Sequence, residues 1–90
     1  MTGRVRFYNL SILNILEVVV PGDRRSIDKI RYAFHYQSAE GTLIFRYDNA
    51  PHHPDLSTFP AHKHTPDGVI AADAPDLADI LREIDAILYP

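Results

Sequence analysis

Residues 30–48 read Ile30-Arg31-Tyr32-Ala33-Phe34-His35-Tyr36-Gln37-Ser38-Ala39-Glu40-Gly41-Thr42-Leu43-Ile44-Phe45-Arg46-Tyr47-Asp48. Large apolar and aromatic side chains fall on every second position: Ile30, Tyr32, Phe34 and Tyr36, then Leu43, Phe45 and Tyr47. Successive side chains of an extended backbone point to opposite sides, so a period of two predicts strands with one apolar and one polar face. Ser38-Ala39-Glu40-Gly41 separates the two runs with turn-forming residues, and the runs pair as a hairpin. If the register follows the pattern, Arg31, His35, Arg46 and Asp48 share the non-aromatic side of that ribbon. A slip of one residue would reverse the faces.

Upstream, Arg4-Val-Arg-Phe-Tyr8 alternates in the same manner and stops at the turn-forming Asn9. Ile12 to Val20 is rich in β-branched residues and ends at Pro21-Gly22-Asp23, where Pro presets one turn torsion and Gly tolerates the next. The run Arg24-Arg25-Ser26-Ile27-Asp28-Lys29-Ile30-Arg31 is the densest basic patch. Downstream, Leu77, Ile80, Leu81, Ile84, Ile87 and Leu88 recur at helical spacing, with Asp79, Arg82, Glu83 and Asp85 on the remaining surface. Asp73-Ala74-Pro75 supplies a start signal for that helix, and Asp76 near its first turn complements the dipole. The fold expected is α+β: an antiparallel sheet of about four strands in hairpin order, one C-terminal amphipathic helix packed on it, and a long His/Pro-rich loop at one edge or end.

Ninety residues suffice for one domain, 1–90, with one core, and 46% hydrophobic content can fill it. The chain has no cysteine, which excludes disulfide staples and thiolate ligands; a metal would have to be held by His, Asp or Glu. No stretch approaches the roughly 20 apolar residues of a membrane span, and the first residues lack an apolar signal core, so a cytoplasmic protein without membrane contact is the default. The formal charge of −3 is unevenly spread. Residues 67–90 hold six acids against Arg82, giving −5, and residues 1–66 hold eight bases against six acids, giving +2. The larger part can present a modest positive face to an anion such as RNA, although on charge alone an ordinary mixed surface is the better reading.

The chemistry concentrates between Arg46 and Pro66. Four of the five histidines (His52, His53, His62, His64) and four of the seven prolines (Pro51, Pro54, Pro60, Pro66) lie there. Each proline pushes the residue before it toward extended geometry, which stiffens the segment and can hold imidazoles in fixed places. Long loops inside small domains are uncommon and more often functional or disordered, and this one is anchored by Tyr47, Leu56 and Phe59.

Three kinds of chemistry suit the segment. His62 and His64, two apart, point the same way in an extended chain, and His52 or His53 with Asp48 could complete a metal site; adjacent His52 and His53 point apart, so only one would join. The second is metal-independent phosphoryl transfer on RNA, needing no cofactor. Histidine serves as acid or base near neutrality, Lys63 and Arg46 can meet the phosphate, and Tyr47 or Phe59 can stack a base. The third is no chemistry: Asp48-Asn49 can cap a strand end, and histidines can satisfy buried carbonyls or line a protein interface. For His35 alone that bland reading is favoured, and for the cluster of four it is not. Ser57 and Thr58 lack a nucleophile elbow, and the four glycines form no phosphate-cradling loop.

At Phe45-Arg-Tyr-Asp-Asn-Ala-Pro-His-His-Pro54, followed by Thr58-Phe-Pro-Ala-His-Lys-His64, the sequence resembles the TumE-like family of small toxins from bacterial and archaeal toxin–antitoxin modules. The resemblance extends more weakly over Arg24 to Gln37 and the C-terminal helix, so it covers most of the chain. The positions it matches are Tyr47, Asp48, Asn49, His52, His53, Phe59, Pro60, His62, Lys63 and His64. Ala61 stands where the family motif has another histidine, and Asn9-Leu10-Ser11 where relatives tend to have Asp-Gly-Ser. The resemblance implies a protein that arrests growth and is neutralised by a helix-turn-helix antitoxin. An endoribonuclease activity is inferred from the histidines and cations: catalytic His52, His53, His62, His64 and Asp48, with Arg46, Lys63, Tyr47, Arg31 and Phe59 toward substrate. RNA is then a further partner, and a homodimer is admitted. The rival expectation is a non-enzymatic protein-binding module with a structural or metal-stabilised His-rich loop.

Overall fold

The computed structural model describes residues 1–22 and 29–90. The described strands are β1 (Thr2–Arg6), β2 (Ile12–Val20), β3 (Lys29–Gln37), β4 (Leu43–Asp48), β5 (His62–Thr65) and β6 (Gly68–Ala71), and they precede one helix, α1 (Leu77–Leu88). The strands form a single antiparallel sheet in sequence order, each beside the next. The class is α+β, as the periodicity predicts, but the sheet has six strands where about four were expected. The expected turn at Pro21-Gly22-Asp23 and the basic run Arg24–Lys29 extend into residues 23–28, which lie outside the described residues.

The β3–β4 register pairs Phe34 with Tyr47, His35 with Arg46 and Tyr36 with Phe45, so the aromatic positions do share one face. A register shift between Tyr36 and Gln37 lets Gln37 pair with Leu43. On β2, Leu13 and Ile15 stand opposite Tyr36 and Phe34. These four and Phe45 are buried together with Ile80 and Ile84 of α1, which makes the core the seam between the aromatic face and the helix. Ser11 and the Tyr36 hydroxyl bond to each other at 2.7 Å inside this seam, whereas the Tyr32 hydroxyl, buried beside it, has no hydrogen-bond partner among the described residues.

The helix begins later than the Asp73 signal suggests. Asp76 is its N-cap: its side chain accepts from the Asp79 N–H at 2.7 Å, and its own N–H donates to Asp79 Oδ2 at 3.0 Å, a reciprocal capping box. The apolar stripe is also narrower than the spacing implied. Ile80 and Ile84 are buried and Leu77 and Leu88 pack beside them, while Leu81 and Ile87 are exposed. No described helix is long and apolar enough to cross a membrane.

Strand β1 ends two residues before the expected Tyr8. The chain from Phe7 to Ser11 turns instead, held by the Phe7 N–H on the Ser11 carbonyl (2.9 Å) and the Ser11 N–H on Asn9 Oδ1 (3.1 Å). Leu10 sits within that turn at φ 68°, the left-handed region that glycine occupies without strain. The last two strands are the larger departure. Pro66-Asp67 join β5 to β6, with Thr65 opposite Gly68, whose φ of 136° suits glycine alone. The expected loop over Arg46–Pro66 is therefore not what forms: its last part is strand, and residues 49–61 connect β4 to β5 without helix or strand.

Candidate functional site

Pairing of β4 with β5 builds the site. Asp48 stands opposite His62 and Arg46 opposite His64, with Tyr47 and Lys63 between them. Alternation sends Arg46, Asp48, His62 and His64 to the face away from the helix, where His35 of β3 already lies beside Arg46. The connection from residue 49 to 61 then returns His53 to the same place: its ring centroid lies 4.9 Å from that of His62 and 5.9 Å from that of His64. Of the adjacent pair, His53 meets the other two imidazoles. His52 is exposed on the wall of the same cleft, which holds about 490 Å³ and is also lined by Arg31, Arg46 and Asn49.

Asp48 is the hub. Its Oδ1 lies 2.9 Å from His62 Nε2, and its Oδ2 3.2 Å from His64 Nε2 and 3.0 Å from Arg46 Nε. The Ala50 N–H donates to Oδ1 at 3.0 Å. The two histidine Nε2 atoms are themselves 3.1 Å apart. His62 is 1% exposed, and its Nδ1 lies 2.8 Å from the Pro60 carbonyl, so that nitrogen carries hydrogen and donates. Arg46 also reaches His35 Nδ1 at 3.3 Å, and Arg31 donates to the Asn49 carbonyl at 3.1 Å. Asn49 closes the arrangement: its side chain accepts from the Tyr32 N–H (3.0 Å) and donates to the Ile30 carbonyl (2.7 Å), tying the start of the connection to β3.

The electrostatics follow from these contacts. Burial opposes the charge of Asp48, but the Ala50 N–H, the Arg46 guanidinium and His62 outweigh it, and the carboxyl stands below its ordinary value. Burial is also the largest influence on His64; Asp48 pushes back, His62 and Arg46 add to the depression, and the imidazole ends below its usual range. His35 is lowered as well, by burial first and then by Arg46.

Not every expected residue joins this cluster. Lys63 and Tyr47 occupy the positions that alternation turns toward the helix. Glu83 of α1 receives the Lys63 ammonium at 2.7 Å and the Tyr47 hydroxyl at 2.6 Å, and Lys63 lies 4.9 Å from the Tyr47 ring centroid. The strand character of β5 thus turns Lys63 away from the histidines, and Tyr47 keeps the aromatic side that the alternation of β4 predicts. Phe59 is 43% exposed and lines a neighbouring hollow of about 220 Å³ that shares Arg31, Asn49 and Pro51 with the cleft. Sequence reasoning gave no role to Glu83 beyond the helix surface or to the Pro60 carbonyl. Pro66-Asp67-Gly68 was the available signal for β5, since it is a turn between two short runs.

The cluster is made from the Tyr47-Asp-Asn-Ala-Pro-His-His53 and Phe59-Pro-Ala-His-Lys-His64 segments, which are parts of two paired strands and of the connection between them. Neither the curated proteins nor the solved structures contain a match to the chain. A family model does match, over residues 1–88, and its description is Toxin TumE. With nearly the whole length matched, sheet, cluster and helix included, the chain belongs to the TumE toxin family.

Proposed function

We propose that the chain is the toxin component of a bacterial or archaeal toxin–antitoxin module and that it acts on RNA, in the cytoplasm, through the Asp48–histidine cluster. Membership of the toxin family supports the first half, and implies an antitoxin, for which a helix-turn-helix protein is the proposed partner. One observation carries the second half: three imidazoles and a carboxylate converge at a cleft that also holds Arg31 and Arg46. His64 and His53, both partly exposed, are the groups able to exchange protons with a substrate. Buried His62 and Asp48 position them. The guanidiniums suit a phosphate by geometry and charge.

The reaction needs no net proton. One imidazole takes the proton of a ribose 2′-hydroxyl as that oxygen bonds to the adjacent phosphorus. The bond from phosphorus to the 5′-oxygen breaks, and the leaving oxygen takes a proton from a second imidazole. The products are a 2′,3′-cyclic phosphate and a 5′-hydroxyl. Incubation of the purified chain with single-stranded RNA, followed by analysis of the new ends, tests this. Cyclic phosphate ends from the wild type, reduced at least 100-fold in His64→Ala, are expected. RNA that stays intact with the wild type would contradict it. A second reading, a non-enzymatic protein-binding module, draws support from the burial of His62, which a purely structural cluster would also require.

A further inference from the structure

We infer that Asp48, His53, His62 and His64 form a binding site for a divalent first-row transition metal, with Zn²⁺ the ion whose chemistry fits best. The inference goes beyond the proposed function, and it stands on geometry rather than on RNA chemistry. His53, His62 and His64 each offer a ring nitrogen, all within 4.8 Å of one another. His62 Nε2 and His64 Nε2 approach to 3.1 Å. Two imidazole nitrogens bound to one tetrahedral Zn²⁺ at about 2.0–2.1 Å would stand about 3.3 Å apart. Without a proton or a cation between them, the two lone pairs would repel.

The surrounding groups hold these atoms as ligands are usually held. His62 gives its Nδ1–H to the Pro60 carbonyl (2.8 Å), so Nε2, which faces Asp48 and His64, is the nitrogen a metal would take on displacing its proton. The Asp48 carboxylate, 2.9 and 3.2 Å from the two Nε2 atoms, is fixed in turn by the Arg46 guanidinium and the Ala50 N–H. With no cysteine in the chain, the donors within mutual reach are three imidazole nitrogens, and the Asp48 carboxylate against two of them is the proposed fourth, a set that suits Zn²⁺. No metal spacing is visible along the sequence because the fold assembles the set from β4, β5 and the connection between them. A cation here would tie those three segments together. It would also occupy the nitrogens that proton transfer uses, so metal-loaded and metal-free chains would be two different states of one site.

Calorimetric titration of the chelator-stripped full chain with Zn²⁺ alone tests the inference, beside thermal melts with and without the ion. One equivalent per chain and a raised Tm are expected. His53→Ala, a partly exposed position whose folding circular dichroism can verify, should weaken binding about 100-fold or more, and His52→Ala, the neighbouring histidine, should leave it unchanged. Absence of saturable binding, or equal weakening by His52→Ala and His53→Ala, would overturn the assignment. Both readouts are independent of RNA cleavage and toxicity, so failure here leaves the proposed function to its own test.

Discussion

At Asp48 each carboxylate oxygen is held twice: Oδ1 by His62 and the Ala50 N–H, Oδ2 by Arg46 and His64. A buried charge survives only when it is paired in this way. The same logic operates on the opposite face at Glu83, which takes both the Lys63 ammonium and the Tyr47 hydroxyl. Glu83→Ala strips a partly buried cation and a hydroxyl of their partner, and a loss of about 1–2 kcal/mol is expected. A double-mutant cycle with Lys63→Met, read by urea denaturation, checks it; a coupling indistinguishable from zero would show the pair to be merely adjacent. His35 gives a pH prediction. Its imidazole is lowered in the fold, by burial first and by Arg46 second, so the unfolded chain takes the proton first as pH falls. Stability from this group is therefore present above about pH 6.5 and is lost as pH falls toward the lowered folded value. His35→Gln should flatten the decline in urea midpoint as pH falls below about 6.5. His64, lowered in the same direction, retains its own share.

Among the elements, the turns carry more information than the strands they join. Gly68 has open space where a Cβ would go, so Gly68→Ala tests backbone conformation alone. At φ 136° alanine is strained, and a cost of about 1–2 kcal/mol is expected, measured as a lowered denaturation midpoint with the slope unchanged. Leu10 predicts the opposite sign. It is exposed and left-handed, so Leu10→Gly should stabilise by up to about 1 kcal/mol. Strands β2, β3 and β4 and the helix were legible because each is long enough for its period to show. β5 and β6, four residues each, were not, and His62-Lys63-His64 read as loop because its composition resembled one. Only the Pro66-Asp67-Gly68 turn marked the hairpin.

For the molecule as a whole, the sheet has two sides with separate duties. One carries the aromatic seam closed by Ile80 and Ile84; the other carries Arg46, Asp48 and the histidines. Ile84→Ala should cost about 2–5 kcal/mol, a large share of the roughly 5–15 kcal/mol such a domain possesses, and should abolish a cooperative melt or lower it sharply. The clustering of His62 and His64 with one of the His52–His53 pair followed from alternation and could be read early. The separation of Tyr47 was also legible, from the alternation of β4, but that of Lys63 was not, because it depends on β5 being a strand and on Glu83 arriving from the helix 20 residues away. The most direct measurement is growth after induction of the wild-type chain beside His53→Ala/His64→Ala, with folding of the variant verified by circular dichroism. The account predicts arrest by the wild type and normal growth with the folded variant; equal arrest by both would contradict it.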